Sequence, residues 1–405
     1  MHVRPIVLTA VLLPTLLATF AGARAQSPDP ASPLLAERPE RWFLEQIGGK
    51  RIVLDGQTLD ARVQYRLQQD RVAQQAQAPS QDDPGATAAG RAELRRAANQ
   101  RWIEGTRPAA DDIRVEDQTA PARDGKRIPV RIYRPRTTDP LPLLVYFHGG
   151  GWLFGDIEAV DRAVRRMADQ AQVVAISVDY RLAPEAPYPA AWNDAEDAYG
   201  WVVANAGKLG GDAARICVGG DSAGGNLAIA VSTRRLQTNQ APPACQLLYY
   251  PAVDNRAVPA MRADYASSRL FGAGFGLDYS FTEYVLARVF PGRDLAAAEI
   301  SPLFATDVAR LPPTLVAASG FDPLRDSDRA YAERLRQAGV PTLYREYPTL
   351  THGFLQLTAI TDDADHAAAE TARLLGALIR GTAFASTDTA TEPGPDASMQ
   401  DRPGN

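Results

Sequence analysis

A serine set between glycines is the best candidate for nucleophilic chemistry in this chain. Residues 220–225 read Gly-Asp-Ser-Ala-Gly-Gly, after an apolar run that predicts a strand at 215–218 and before a predicted helix that begins near Ala223. Glycines remove Cβ atoms that would clash in a sharp strand-to-helix turn, which presents the serine hydroxyl above the sheet. The pattern predicts that Ser222 is a nucleophile; the alternative is an ordinary glycine turn whose serine caps the helix.

A second glycine run predicts an oxyanion hole. His148-Gly149-Gly150-Gly151 directly follows a predicted core strand at 143–147. Main-chain N–H groups in such a run can approach a carbonyl oxygen as it becomes an oxyanion. We predict that the amides of Gly149 and Gly150 form this hole, with a third donor from Ala223. A merely flexible loop would not explain why the run follows a core strand.

The general base that a serine nucleophile needs can be found by elimination, because the chain has only four histidines. His2 lies in the N-terminal leader, His148 opens the glycine run, and His366 begins a polar-faced helix. His352 remains, on a loop after the predicted strand 342–346, where an α/β sheet places catalytic groups. We therefore predict that His352 is the base.

The carboxylate that orients the base is expected between serine and histidine in chain order. Asp322 directly follows the predicted strand 314–318 and satisfies that order, whereas Asp326 is a rival one helical turn later. We predict that Asp322 holds the tautomer of His352 and stabilises the imidazolium. No residue is assigned to a cofactor or a metal ion.

Short apolar runs alternate with amphipathic helices from residue 111 to residue 381. Such strands, separated by helices, predict an α/β domain with a parallel sheet covered on both faces. The predicted strands are 130–133, 143–147, 173–178, 215–218, 246–249, 314–318 and 342–346, and the predicted helices are 160–171, 190–206, 223–236, 323–338 and 364–378.

Three segments lie outside this alternation. Residues 26–110 contain a Pro-rich tether and helical patterns at 41–46, 61–77 and 91–102. The aromatic-rich stretch 251–301 is too long for a plain connection and is interpreted as an insertion over the active site; an edge structure unrelated to substrate is the alternative. Residues 382–405 are too polar to offset the entropy of ordering and are predicted to be a disordered tail.

The N-terminus predicts export. Residues 1–25 combine an early arginine, an apolar run and a small-x-small ending, which is the pattern of a cleaved signal peptide. A membrane anchor is the alternative, but the apolar run at 6–20 contains Pro14 and is shorter than the ~20 residues needed to span a bilayer. A secreted or periplasmic protein is expected. Its cysteines, Cys217 and Cys245, lie in predicted strands, which favours free thiols while leaving a disulfide open.

Composition excludes one large class of partner. The chain has 405 residues, with 43 basic against 48 acidic side chains and a net charge of −5. No basic tract is present to neutralise phosphates, which argues against nucleic acid as a main partner.

The motifs together resemble the hormone-sensitive-lipase-like branch of the α/β-hydrolases, the bacterial family IV esterases. The resemblance rests on residues 148–151, 220–225, 322–326 and 352–354, and is reinforced by Asp-Tyr-Arg-Leu-Ala-Pro-Glu at 179–185. It implies a mostly parallel eight-stranded sheet, a helical cap built from residues 26–110 and the insertion 251–301, and carboxylic-ester hydrolysis through an acyl-enzyme. The N-terminal segment is longer than is usual for the branch.

These observations predict a serine carboxylic-ester hydrolase that acts on small esters with short- to medium-chain acyl groups. A monomer and a homodimer are both open, and no stable membrane anchor is expected. One alternative is an amidase or deacetylase, because the same triad serves both bonds. The other is a ligand-binding protein on the same fold, against which His352 argues.

Overall fold

The computed structural model describes residues 37–76, 83–109 and 112–384. The predicted signal peptide and nearly all of the predicted tail therefore lie outside the described residues. Within those ranges the helices are α1 (Glu40–Gln46), α2 (Ala61–Ala76), α3 (Ala88–Gly105), α4 (Ile157–Ala171), α5 (Ala190–Asn205), α6 (Ala223–Gln237), α7 (Val258–Asp264), α8 (Ala266–Phe271), α9 (Tyr279–Val289), α10 (Arg325–Gln337) and α11 (Asp362–Ile379).

The strands of the described chain form a two-stranded hairpin and a large sheet. They are β1 (Val53–Leu54), β2 (Gln57–Thr58), β3 (Arg114–Pro121), β4 (Arg127–Arg134), β5 (Leu141–Phe147), β6 (Val174–Val178), β7 (Gly211–Asp221), β8 (Gln246–Tyr249), β9 (Thr314–Phe321) and β10 (Thr342–Thr351). The eight-stranded sheet has the order β10-β9-β8-β7-β5-β6-β4-β3. Its strands are parallel from β10 to β6, and β4 and β3 are antiparallel to their neighbours. The predicted α/β class with a mostly parallel eight-stranded sheet is confirmed.

The central strand β5 shows why the sheet is covered on both sides. Leu143, Val145 and Phe147 point into one buried apolar cluster, and Leu144 and Tyr146 point into a second cluster on the opposite face. Helices α5, α6 and α10 contribute to the first cluster, whereas α4 and α11 contribute to the second. Successive side chains of a strand point to opposite faces, so an almost wholly apolar strand requires two cores.

Parallel pairing brings the carboxyl ends of the central strands to one edge of the sheet. Phe147, the last residue of β5, pairs with Gly220 of β7, and Asp221 pairs with Tyr249 of β8. The ends of β9 and β10 also meet, since Thr351 pairs with Phe321. Every residue predicted for chemistry follows one of these strand ends.

The N-terminal helices are held to the rest of the chain by arginine contacts. Arg91 and Arg95 of α3 both pair with Glu185, at 2.7 and 2.8 Å. Arg95 also donates to the carbonyl oxygens of Leu153 and Ala183. The contacts anchor α3 beside the loop that follows the glycine run.

The expectation of free thiols is wrong. Cys217 in β7 and Cys245, which immediately precedes β8, form a disulfide with their Cα atoms 4.6 Å apart. The Val218 amide donates to the Cys245 carbonyl at 3.0 Å, so the two residues lie side by side on neighbouring strands. The sequence shows that both cysteines lie in apolar runs, but it does not show that those runs are adjacent and in this register.

Two features of the described fold are not predicted from the sequence. The edge strand β3 is largely polar and only Ala120 in it is buried, so its apolar pattern is weak. The hairpin of β1 and β2 has two residues in each strand. In the described part of the chain, no helix is both long and apolar enough to cross a membrane.

Candidate active site

Ser222 occupies a strained turn between β7 and α6. Its φ is +55° and its ψ is −117°, a conformation that side-chain-bearing residues rarely adopt and that is held by the surrounding structure. A Cβ built on Gly224 would overlap the Phe147 carbonyl oxygen, and one built on Gly220 would overlap the Gly224 backbone. The two glycines are therefore required for β7, α6 and β5 to approach one another at this turn.

The structure brings the three predicted triad residues together. His352 Nε2 lies 3.0 Å from Ser222 Oγ, and His352 Nδ1 lies 2.7 Å from Asp322 Oδ2. Asp322 is fully buried, and its other oxygen accepts the Leu324 amide at 2.9 Å. A neutral imidazole that donates from Nδ1 to the carboxylate can accept the serine proton at Nε2.

The rival carboxylate does not reach the histidine. Asp326 accepts the Ser267 amide at 2.8 Å and binds the Arg325 guanidinium at 3.0 Å. Its position one turn into α10 directs it toward α8 instead of toward His352.

The other described histidines are engaged elsewhere. His148 is buried, stacks on Tyr180 with ring centroids 4.3 Å apart, and places Nδ1 2.8 Å from the Gly149 carbonyl oxygen. His366 lies exposed on α11.

One predicted oxyanion donor must be corrected. The Gly149 amide donates to Asp221 Oδ1 at 3.0 Å, and a Cβ on Gly149 would lie 2.5 Å from Asp221 Oδ2. Gly149 therefore faces the buried carboxylate and does not line the cavity in front of Ser222. Which amide of a glycine run faces the reacting atoms depends on where the neighbouring carboxylate lies, and the motif alone does not show this.

The next two residues of the run face the cavity instead. Gly150 and Gly151 line it beside Ser222 and Ala223, with φ values of +106° and +61°. Within the described chain, the amides of Gly150, Gly151 and Ala223 have no hydrogen-bond acceptor. Gly151 belongs to the glycine run, but the sequence did not predict it as an oxyanion donor.

Asp221 connects the nucleophile turn to the glycine run. Its fully buried carboxylate accepts the Tyr146 hydroxyl at 2.7 Å and the Gly149 amide, and lies 3.4 Å from Gln356 Nε2. Burial raises the pKa of the Asp221 carboxyl, and the hydrogen bonds from Tyr146 and Gly149 oppose that rise. Asp221 stands in the Gly220–Gly225 motif, but the motif does not predict this role.

A cavity of about 260 Å³ opens in front of Ser222 and His352. Its walls come from α2, α3, the segment around α7 to α9, and the loop after β10. Its apolar lining includes Val63, Leu67, Trp102, Phe154, Met261, Phe281, Val285 and Leu286. The predicted insertion 251–301 thus contributes directly to the space beside the triad. No group of three or more His, Cys, Asp or Glu side chains in the described ranges is arranged to hold a metal ion.

Comparison with known proteins gives a consistent set of relatives. Residues 144–356 match a family described as having the alpha/beta hydrolase fold. The carboxylic ester hydrolase LipN of Mycobacterium tuberculosis is 37% identical over 340 residues, covering 82% of this chain and 85% of that protein. An ethyl acetate hydrolase of Pseudomonas putida is 35% identical, covering 62% of this chain and 79% of its own.

Solved structures agree with the sequence relatives. A hyperthermophilic esterase from Pyrobaculum calidifontis superposes with a TM-score of 0.70 at 34% identity, covering 79% of this chain and 98% of its own. An alpha/beta hydrolase enzyme from the metagenome of Lake Arreo gives a TM-score of 0.72 at 36% identity over the same shares of both chains.

Proposed function

This chain belongs to the α/β-hydrolase fold family, within its hormone-sensitive-lipase-like branch, and is a serine carboxylesterase. We propose that Ser222, His352 and Asp322 carry out the ester hydrolysis. The observation that carries the proposal is the continuous hydrogen-bond path from Ser222 Oγ through both nitrogens of His352 to Asp322. The path ends at a cavity large enough for a small ester.

The proposed reaction has two acyl-transfer steps. His352 Nε2 takes the hydroxyl proton as Ser222 Oγ attacks the ester carbonyl, and Asp322 stabilises the imidazolium that forms. The same proton passes to the departing alkoxide, which leaves as an alcohol. Water then attacks the acyl-enzyme by the same route and releases the carboxylic acid.

The amides of Gly150, Gly151 and Ala223 are the proposed oxyanion donors. They lie at the cavity wall next to Ser222 and have no acceptor in the described chain, so the carbonyl oxygen of a substrate can supply one. A donor of this kind is worth about 2.7–4 kcal/mol of barrier.

The proposed substrates carry short- to medium-chain acyl groups. The limited cavity and its apolar wall support this size, and one relative is named for the hydrolysis of ethyl acetate. A panel of p-nitrophenyl esters from acetate to palmitate tests it, with kcat/KM expected to peak between butanoate and octanoate. A maximum at palmitate would contradict the proposed chain length.

Two serine variants test the nucleophile, and an anilide substrate tests the preference for esters over amides. Ser222→Ala is expected to lower ester turnover by a factor on the order of 10⁶. Ser232→Ala is a matched control on α6, because that buried hydroxyl only donates to the Ala228 carbonyl and lies outside the cavity. A p-nitroanilide with the same acyl group is expected to react far more slowly than the ester; faster anilide cleavage would indicate an amidase.

Export to a secreted or periplasmic location is proposed from the leader at residues 1–25. The disulfide between Cys217 and Cys245 supports an oxidising compartment. Expression of the full chain, followed by N-terminal peptide mapping, is expected to give a mature protein that begins at Gln26. An unprocessed chain in the cytoplasm would contradict the export.

A further inference from the structure

One wall of the cavity is charged. Helix α2 directs Val63, Arg66, Leu67, Asp70 and Arg71 toward it, at the spacing of one helical face. This face of α2 therefore brings guanidinium groups to the space in which the substrate binds.

The charges of this wall are unequally paired. Asp70 forms an ion pair with Arg101 of α3. Neither Arg66 nor Arg71 is in a hydrogen bond or ion pair with a described residue. Asp70 and Glu104 attract Arg66, and Asp278 attracts Arg71, only at longer range. Arg71 is exposed to solvent, whereas Arg66 is half-buried in the wall.

Arg66 remains a cation despite its surroundings. Burial, and next the charge of Arg101, lower the pKa of Arg66 to about 10, while Asp70 and Glu104 oppose that change. At neutral pH the guanidinium is therefore charged, partly removed from water and without an anionic partner in contact among the described residues. Such a group is stabilised by a ligand that brings a carboxylate, which a guanidinium binds through two parallel hydrogen bonds.

Arg66 lines the same cavity as Ser222 and His352. A Cβ built on Gly105 would lie 3.3 Å from Arg66 Nη1 and would overlap the Gln356 carbonyl oxygen, so the guanidinium lies beside the Gln356 backbone. The Gln356 side chain in turn lies 3.4 Å from Asp221, the neighbour of Ser222. Arg66 and Ser222 line the same cavity, so an ester bound at Ser222 can extend toward Arg66 within that cavity.

We propose that Arg66 recognises an anionic group on the substrate, and that the substrate class of this esterase includes esters with a second, free carboxylate. This inference rests on the ester hydrolysis proposed above and specifies the substrate of the same site. The carboxylate can belong to the acyl half or to the alcohol half of the ester, since both halves lie in the one cavity.

Matched pairs of substrates test the proposal and distinguish its two forms. Monomethyl adipate and methyl hexanoate differ by a carboxylate on the acyl side, and 4-acetoxybutanoate and butyl acetate differ by one on the alcohol side. Hydrolysis is followed in a pH-stat with wild type, Arg66→Met, Arg66→Lys and the control Arg96→Met. Arg96 is an exposed residue of α3 that pairs with Glu93 and does not line the cavity.

Arg66→Met is expected to lower kcat/KM for the anionic member of one pair by about 10- to 100-fold, mainly through KM, which is what one charge-assisted hydrogen bond is worth. The neutral member should change little, which also shows that the variant is folded. The kcat/KM of Arg66→Lys for the anionic ester should lie between those of wild type and Arg66→Met, because lysine keeps the charge but lacks the paired N–H groups of the guanidinium. Arg96→Met should match wild type.

Equal losses on both members of each pair would overturn the proposal, and so would unchanged anionic-to-neutral ratios in both variants. If Arg66→Met does not fold, the anionic-to-neutral ratio of kcat/KM in Arg66→Lys tests the proposal: a lower ratio than in wild type supports it, and an unchanged ratio overturns it. Failure of wild type to hydrolyse any of the four esters would instead contradict the proposed function itself.

Discussion

Asp221 and Asp322 are both buried carboxylates next to the reacting atoms, but they do different work. Asp322 binds the imidazole, whereas Asp221 fixes the turn of Ser222 to the glycine run through Tyr146 and Gly149. A fully buried carboxylate is stable only when its hydrogen bonds are made.

Comparing Asp322→Asn with Asp326→Asn tests which of the two carboxylates orients His352. An amide can donate to Nδ1 and favour the wrong tautomer, so kcat/KM at neutral pH is expected to fall by on the order of 10⁴. Asp326→Asn is the matched control: the same change four residues later, on a side chain that does not contact His352. Greater damage from Asp326→Asn than from Asp322→Asn would contradict the assignment.

Tyr146→Phe removes one donor from Asp221 and leaves the core otherwise filled. The free energy of unfolding is expected to fall by about 1–3 kcal/mol, the cost of an unmet buried acceptor. Turnover should fall more than KM changes, because the hydroxyl acts on the glycine run through Asp221 and does not meet the substrate. Urea unfolding and p-nitrophenyl butanoate kinetics measure both effects, and unchanged values in both would contradict the role given to Asp221.

At the scale of elements, the sequence indicated most of what the central strands show. The buried runs at 143–147 and 246–249 predict strands because nearly every residue is apolar. The polar edge strand β3 gives no such pattern, since its solvent-facing side places few demands on its residues. The disulfide and the role of Gly149 depend on which strands become neighbours, and the local sequence does not contain that information.

The Cys217–Cys245 bridge closes a loop of 28 residues across β7 and β8. Loop closure of that length is expected to contribute about 3–4 kcal/mol to the free energy of unfolding. Urea unfolding with and without dithiothreitol should differ by that amount in wild type. The double variant Cys217→Ala, Cys245→Ala should have the free energy of unfolding of reduced wild type, and dithiothreitol should not change it. Two free thiols in unreduced, unfolded wild type would contradict the bridge.

At the scale of the whole molecule, a buried acid outside the substrate cavity contributes to the pH dependence of stability. Asp328 of α10 is fully buried, and neither of its carboxylate oxygens has a hydrogen-bond partner in the described structure. Burial, followed by the charges of Asp322 and Glu346, raises the pKa of the Asp328 carboxyl well above its usual value. Its contribution to stability is complete below the unfolded pKa, about 4, and is lost as pH rises through the folded pKa.

Asp328→Asn is expected to remove this pH-dependent loss. Thermal unfolding at pH 5 and pH 8 should therefore show a smaller drop in Tm across the interval in the variant than in wild type. Asp326→Asn serves as the contrast: burial raises the pKa of Asp326, but the Ser267 amide and Arg325 outweigh it and lower that pKa, so its stabilisation is present above about 4. If the drop in Tm between pH 5 and pH 8 were the same in Asp328→Asn as in wild type, the role of Asp328 would be contradicted.

The assignment of Ser222 as the nucleophile is tested by covalent labelling with diethyl p-nitrophenyl phosphate. Ser222 Oγ attacks the phosphorus, p-nitrophenolate leaves, and the diethylphosphoryl group stays on the enzyme. Peptide mass mapping should find this group on Ser222, in step with the loss of esterase activity, and should find none in Ser222→Ala. A label on another residue that abolishes activity while Ser222 is unmodified would contradict the assignment.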